Sequence, residues 1–488
     1  MTNSCSEKEF IREYVNAIKA SRASVFIGSG LSRQAGYKGW QDILEDVAQD
    51  IGLNVKKESD LISLAEYYVN AKKNRSKIDE AISEFFSCRY NPTESHTILA
   101  SLPIISYWTT NYDKLIERTF ESQNLTYSVL TNDESFKKYI DGKNRIIHKL
   151  HGDVETPNEA VITKKDYEEF AYKHEILLAK LKGEMCSKSF LFLGYSFTDT
   201  DIRHILTRIR LFYKGFPAKT HYCILEKIKR KTDDLGNYVE EEEDFIYRTT
   251  KQEHHILDLL SYGIQTILVD SYEKDIPRLL REIRRKVYSN YIYIAGAYDE
   301  NNIHQEEYNQ YARTLSTWMV TSNYYIISGY GKGIGPAVVS GAHEGYLLKR
   351  GHQVRSLGNN LQIYPFPYKQ SWKKEEREKI NTEIREKLLS KAGICLIING
   401  TKKFNKKEMV SEGVVEEALI AKRNGLLIIP IAVTGGAALT VWEKISKDDT
   451  EYTRSNEFKL LKEGNDFDTI YSAVRKIITN YTGGFYGT

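Results

Sequence analysis

The sequence predicts an α/β protein with two doubly wound parallel sheets, one in each half of the chain. Three observations lead there. The 488 residues are too many for one ordinary domain. Apolar runs of strand length alternate with segments of helical periodicity. Glycines and polar side chains gather just after the apolar runs, where an open parallel sheet places its ligand site. A new start at Tyr291, after an arginine-rich helix, divides the chain into residues 1–287 and 288–488.

Composition narrows the class. Hydrophobic residues make up 41% and charged residues 28%, the balance of folded soluble domains rather than of disorder. With 69 Lys plus Arg against 66 Asp plus Glu, the formal charge of +3 gives no reason to expect a nucleic-acid partner. The start lacks the apolar core of a signal peptide, and no stretch nears the ~20 apolar residues that span a bilayer. A cytoplasmic chain with no membrane partner is therefore expected. Cys5, Cys88, Cys186, Cys223 and Cys395 form no C-x-x-C pair, so they are read as reduced packing residues and no metal is expected.

In chain order, Glu7 to Ala20 has an apolar stripe of Phe10, Tyr14, Val15 and Ile18 and predicts a helix. Ala23 to Ile27 predicts a buried strand, Gly28-Ser29-Gly30 a turn, and Trp40 to Ile51 the next helix. Strand, glycine turn and helix is an arrangement that can cradle a phosphate, since glycines let backbone amides come close. Helices are expected over 61–71 and 78–86. Pro103 to Thr110 predicts a strand that ends in Thr110-Asn111-Tyr112-Asp113, before a helix from Lys114 to Glu121. Asn111 or Asp113 could simply cap that helix, and a capping aspartate can also face a ligand. Arg145 to Leu150 predicts a strand ending in His151-Gly152-Asp153, where a histidine can stand exposed at the mouth of a site. Phe190 to Leu193 predicts a strand ending in Gly194-Tyr195-Ser196; strands at 221–225 and 266–270 complete the set. The charged tract from Lys227 to Lys251 reads as a solvated helical excursion.

The second half repeats the logic with different glycines. Tyr291 to Ala297 predicts a strand containing Gly296. After a helix over 306–320, Tyr325 to Ser328 leads into Gly329-Tyr330-Gly331-Lys332-Gly333-Ile334-Gly335. Four glycines between strand and helix suit close backbone approach to a phosphate or ribose. Strands are expected over 362–365, 393–398 and 426–431, with helices over 413–423 and 466–478.

The four clusters of the first half suit one reaction. Cleaving the nicotinamide–ribose bond of NAD needs no metal, because the leaving group is already a pyridinium. The protein must hold the pyrophosphate, orient the ribose and position a base. Gly28, Ser29, Gly30 and Ser32 fit the first task. Asn111 can hydrogen-bond a ribose hydroxyl or a water, and His151 can take the proton. Asp113 can bond the nicotinamide amide, while Gly194 and Ser196 close around phosphate and ribose.

These motifs, in this order, resemble the NAD-binding core of the sirtuins over most of the first half. The resemblance implies a Rossmann-like domain with NAD as substrate. Two departures matter. Sirtuin deacylases carry Pro-Asp-Phe-Arg after the first glycine turn, where Gly36-Tyr37-Lys38-Gly39-Trp40 stands here, and they carry a four-cysteine zinc module that this sequence cannot build. NAD hydrolysis is thus expected rather than deacylation, with a non-catalytic NAD or ADP-ribose sensor as the alternative. The second half resembles the SLOG group of nucleotide-sensing Rossmann-like domains. Ser411-Glu412-Gly413-Val414-Val415-Glu416-Glu417 stands where enzymatic relatives have a Pro-Gly-Gly-x-Gly-Thr-x-x-Glu stretch, which favours binding over catalysis. Together the halves resemble the effector family of the Thoeris anti-phage system. That resemblance implies a cyclic ADP-ribose isomer, made by a TIR-domain partner protein of the ThsB type, which binds the SLOG half and releases NAD depletion in abortive infection. It also implies a homo-oligomer, tetramer or higher. The signal would be gripped by Arg385, Lys402 and Glu417, beside Gly296, Gly329, Gly331 and Gly333.

Overall fold

The computed structural model describes residues 5–138, 145–197, 200–212, 219–299 apart from 234 and 236, 302–349, 360–367, 371, 373–404 and 407–483. Two compact units divide the chain between Arg284 and Arg285. No helix among the described residues is long and apolar enough to cross a membrane.

The first unit holds a seven-stranded sheet of β1 (Ala23–Ile27), β2 (Ser106–Thr109), β3 (Tyr127–Leu130), β4 (Arg145–Lys149), β5 (Ser189–Leu193), β6 (His221–Glu226) and β7 (Ile264–Val269). Their order is β3-β4-β2-β1-β5-β6-β7, with every neighbouring pair parallel. β1 and β2 are buried along their whole length, and β4 and β5 at all but the first residue. Covered on both faces, they read as unbroken apolar runs rather than alternating ones.

The strand order reverses at β1. The chain runs outward from β1 to β2 on one side and returns to β5 on the other, which makes the crevice beside β1 a topological switch point. Register levels the strand ends. Ile27 pairs with both Thr109 and Leu193, and Thr109 pairs with Lys149. Gly28, Thr110, Leu150 and Gly194 therefore leave the sheet along one rim. Beneath it, Trp108 stacks on His148 with ring centroids 3.8 Å apart and donates to Glu184 at 3.0 Å. Glu184 also accepts from Ser106 at 2.7 Å, so helix Glu175–Ser187 clamps β2 from the side.

Several elements differ from expectation. The turn expected over Gly28-Ser29-Gly30 is tighter: the chain turns at Gly28, the N-cap of a helix that starts at Ser29 and runs to Ala35, with Gly36 at φ 114° closing it. Burial of Leu31 and Ser32 outweighs the poor helix propensity of Ser and Gly. The helix expected over 40–51 breaks at the buried Leu44 into Trp40–Ile43 and Glu45–Gln49. Among the described residues of the charged tract, only the end is helical, as part of Glu242–Ser261, and Thr232 pairs with Tyr238 in an isolated antiparallel bridge. Strand β3 escaped the sequence reading because only Leu130 in it is fully buried.

The second unit holds β8 (Tyr291–Ala297), β9 (Tyr325–Ser328), β10 (Leu361–Ile363), β11 (Ile394–Asn399), β12 (Thr401–Phe404), β13 (Lys407–Val410) and β14 (Leu427–Ile431). Five form a parallel sheet in the order β10-β9-β8-β11-β14, reversing at β8, while β12 and β13 make a separate antiparallel hairpin. Its core is the apolar faces of β8, β9, β11 and β14 packed against flanking helices.

Candidate active site

Two backbone turns touch at the rim of the first sheet. Gly28 N–H donates to Leu193 O at 2.8 Å, and Gly30 N–H donates to Gly194 O at 2.9 Å. A Cβ on Gly28 would lie 2.4 Å from Gly194 O, one on Gly30 2.7 Å from Gly194 Cα, and one on Gly194 2.4 Å from Leu31 N. Gly194 also sits at φ +64°. The glycines are required because the turns after β1 and β5 lie in contact. The glycine pattern predicts amides facing a pyrophosphate, but those of Gly28 and Gly30 are engaged within the interlock. Ser29 and Ser196 are exposed at the same rim.

From the next strand end comes a chain of hydrogen bonds. Asn111 Nδ2 donates to Ser32 Oγ at 2.8 Å, and Ser32 Oγ donates to Asp113 Oδ2 at 2.7 Å. Asp113 Oδ1 accepts from Leu115 N–H at 2.9 Å and so supports the start of helix Leu115–Ser122. Asn111 N–H is held by Thr109 Oγ1 at 2.9 Å. Ser32 and Asp113 are buried and Asn111 is half-buried. The amide is thus aimed by two buried groups while keeping access to the rim.

His151 was expected exposed at the mouth of a site. It is instead 3% exposed, edge-on to Tyr167 and Phe170 at centroid distances of 5.3 and 5.6 Å. Both rings belong to helix Lys164–Lys173, which packs over the strand end. Gly152 follows at φ +95°, a left-handed turn that needs glycine. Val161 N–H then returns to His151 O at 2.9 Å, and Tyr112 O–H donates to Val161 O at 2.7 Å.

One functional group went unread. Lys149 is 1% exposed, and its Nζ donates to Asp113 O at 2.6 Å, Asp153 Oδ2 at 2.7 Å, and Tyr112 O and Glu117 Oε1 at 3.1 Å. Burial alone would lower its pKa, but Glu117, Asp153 and Asp113 outweigh that and raise it above the usual lysine value. Burial likewise resists ionisation of Asp153, yet the Lys149 charge holds that carboxyl below its ordinary range. Glu117 is pushed up by burial, with Lys149 only partly compensating. A lysine ending a buried strand carries one signal in the sequence: a carboxylate, Asp153, stands four residues on.

A cleft of about 710 Å³ lies beside this cluster, lined among others by Tyr90, Lys114, Glu117, Arg118 and Asp153. Neither Asn111, His151 nor the rim glycines line it, so it is distinct from the site predicted by sequence.

In the second unit Arg385, from helix Lys374–Leu389, and Glu417, from helix Glu412–Arg423, come together. Arg385 Nη1 bonds Glu416 at 2.8 Å, Arg385 Nε lies 3.6 Å from Glu417 Oε1, and Tyr293 O–H donates to that oxygen at 2.9 Å. Phe366 packs under the guanidinium with 4.9 Å from Cζ to the ring centre. Burial raises the Glu417 pKa to about 7 despite Arg385 and Tyr293. Lys402, on the β12 strand, pairs with Glu412 at 2.9 Å, and a Cβ on the next residue, Gly413, would lie 2.5 Å from Arg385 Nη2. Gly296, Gly329, Gly331 and Gly333 are close-packed: a Cβ on Gly331 would lie 2.1 Å from Gly296 O, one on Gly296 2.4 Å from Ile398 O, one on Gly329 2.6 Å from Phe366, and one on Gly333 2.6 Å from Tyr298.

Two families match parts of the chain, one in each half. Residues 105–246 match the SIR2-like domain, and residues 275–481 match the Sir2- and TIR-associating SLOG family. A protein of Bacillus cereus (strain MSX-D12) named NAD(+) hydrolase ThsA is 33% identical over 471 residues, covering 96% of each chain. One of the same name from Cytobacillus dafuensis is 34% identical over 492 residues, covering 98% of each, and one from Acinetobacter baumannii (strain 532279) is 32% identical over 453 residues, covering 91% of this chain and 92% of that one. The chain belongs to the ThsA family. The matched SIR2-like segment carries Asn111, Asp113, Lys149, His151, Gly194 and Ser196, while the Gly28–Ser32 turn lies upstream of it. The full-length likeness to ThsA relatives includes the joining of the two domains in this order.

Proposed function

We propose that this chain is an NAD glycohydrolase, releasing nicotinamide and ADP-ribose, that a cyclic ADP-ribose isomer on the second unit switches on. The observation that carries the reading is the hydrogen-bonded chain from Asn111 through Ser32 to Asp113 at the rim of a switch-point sheet, the rim that the strand before His151 also reaches. Support comes from relatives over the whole length that bear the name NAD(+) hydrolase. Nicotinamide leaves as a neutral base, taking both electrons of the N-glycosidic bond. A water then attacks C1′ of the ribose and passes its proton to His151. Asn111, aimed by Ser32, holds that water or a ribose hydroxyl. Asp113 retains lone pairs for the carboxamide beyond those used by Ser32 and Leu115. Burial of His151 among aromatic rings keeps bulk water from the base.

For the signal, Arg385 and Lys402 suit a pyrophosphate and Glu417 suits ribose hydroxyls. Arg385 already faces two carboxylates, so an arriving pyrophosphate would replace one anion by another. The signal is made by a TIR-domain partner protein, the chain works as a homo-oligomer, and depletion of NAD ends the infected cell in phage defence. The test is nicotinamide release from NAD by the full chain, with and without a panel of cyclic ADP-ribose isomers. Release that Asn111→Ala abolishes is the expected result. Tight NAD binding without turnover under every isomer would point to a sensor scaffold instead.

A further inference from the structure

We propose that Lys149 is a positioning residue, whose buried ammonium locks the loop carrying His151 against the loop carrying Asn111. The proposal rests on the reading of His151 and Asn111 as the hydrolytic pair. The two loops leave neighbouring strands, β2 and β4, and nothing in a parallel sheet fixes side chains beyond the strand ends. Lys149 supplies the fixing. On one side its Nζ holds the backbone of the Asn111 loop, at Tyr112 O and Asp113 O, 3.1 and 2.6 Å away. On that side it also meets Glu117, from the helix that the loop feeds. On the other side it holds Asp153, two residues beyond His151, at 2.7 Å.

The chemistry requires a lysine. Three N–H donors converge on four oxygens in a space from which water is excluded, so a neutral isostere fills the volume but ties nothing. Other links run in parallel: Tyr112 O–H to Val161 O at 2.7 Å, with Val161 N–H on His151 O; Val154 N–H to Tyr112 O at 3.1 Å; and the Lys114 ammonium to Asp153 Oδ1 at 3.0 Å. With 18% of its side chain exposed, Lys114 is the more solvated of the two cations. Lys149 itself, 1% exposed, does not reach substrate. It acts through the geometry of the base and the amide, where a misplacement of about 1 Å costs ~100-fold in rate.

The experiment measures kcat and KM for nicotinamide release, and the melting temperature, in three full-chain variants. These are Lys149→Met, Asp153→Asn, and the triple variant Lys149→Met/Glu117→Gln/Asp153→Asn. Conditions are those under which the wild-type chain turns NAD over. Lys149→Met is expected to lose about 100-fold in kcat with KM within about threefold. The triple variant, which removes the two stranded carboxylates, is expected to regain melting temperature but not kcat. Recovery of both together would make Lys149 merely structural and overturn the proposal, as would wild-type kcat in Lys149→Met. If Lys149→Met does not fold, isosteric Asp153→Asn decides: about tenfold lower kcat at unchanged KM is expected, and wild-type kcat overturns the proposal. Activity surviving in His151→Ala would instead remove the underlying site. Loss there, alongside a fully active Lys149→Met, would remove only the role of Lys149.

Discussion

Replacing Ser32 by alanine cuts the hydrogen-bond chain at its middle while leaving the packing of the helix Ser29–Ala35 almost unchanged. The hydroxyl donates to Asp113 at 2.7 Å and accepts from Asn111 at 2.8 Å. Asp113 is 6% exposed, so losing a charge-assisted donor there costs about 1.5–3 kcal/mol. Asn111 is half-buried and can turn to water, so its own loss adds little to stability. A cost of about 2 kcal/mol in a unit ending at Arg284 lowers the melting temperature by about 3 °C. The effect on rate has a different origin. Without Ser32 the Asn111 amide is no longer held in one rotamer, and kcat/KM for nicotinamide release should fall about 10- to 100-fold. Differential scanning calorimetry and a nicotinamide-release assay on the same preparation read both quantities. A lowered melting temperature with an unchanged rate would refute the orienting role of Ser32; no change in either would refute the hydrogen-bond chain.

Gly194→Ala places a methyl 2.4 Å from Leu31 N at a φ of +64°, so a loss of about 2–4 kcal/mol is expected in denaturant unfolding. Glu417 gives a pH dependence: its folded-state pKa of about 7 lies above the ordinary 4.5, so the folded form holds the proton more tightly. That stabilisation is complete below about 4.5 and is lost as pH rises towards 7 and beyond. Melting of the full chain between pH 5 and 8 should show this fall, and Glu417→Gln should flatten it. Arg385→Ala should remove activation by a cyclic ADP-ribose isomer while the first unit keeps its melting transition; retained activation would refute that placement.

The strand-end motifs were legible because a parallel sheet buried on both faces writes its strands as continuous apolar runs, and the polar residues that end them stand out. Thr110 to Asp113, His151 to Asp153 and Gly194 to Ser196 were found that way. What those residues touch was not legible. Ser32 and Asp113 are 81 positions apart, and no local pattern says that one hydroxyl links Asn111 to that carboxylate. Lys149 was hidden for a similar reason: in sequence it is a polar residue at a strand end, and only the fold brings two backbone carbonyls and two carboxylates around it. His151 was misjudged in exposure because the covering helix Lys164–Lys173 contributes Tyr167 and Phe170 from beyond the motif. The Gly28 turn was given a ligand to approach, whereas its close neighbour is the turn after β5. In the second unit, the charged run Glu383-Ile384-Arg385-Glu386-Lys387 carries no local sign of burial, yet the Arg385 side chain is 12% exposed and bound by Glu416.

The most direct test sets His151→Ala beside the wild-type full chain, each given NAD and a panel of cyclic ADP-ribose isomers. Nicotinamide is quantified by chromatography and NAD binding by calorimetry. The account predicts nicotinamide release by the wild type with an activating isomer, and none by His151→Ala although NAD still binds. Release at the wild-type rate by His151→Ala would contradict it.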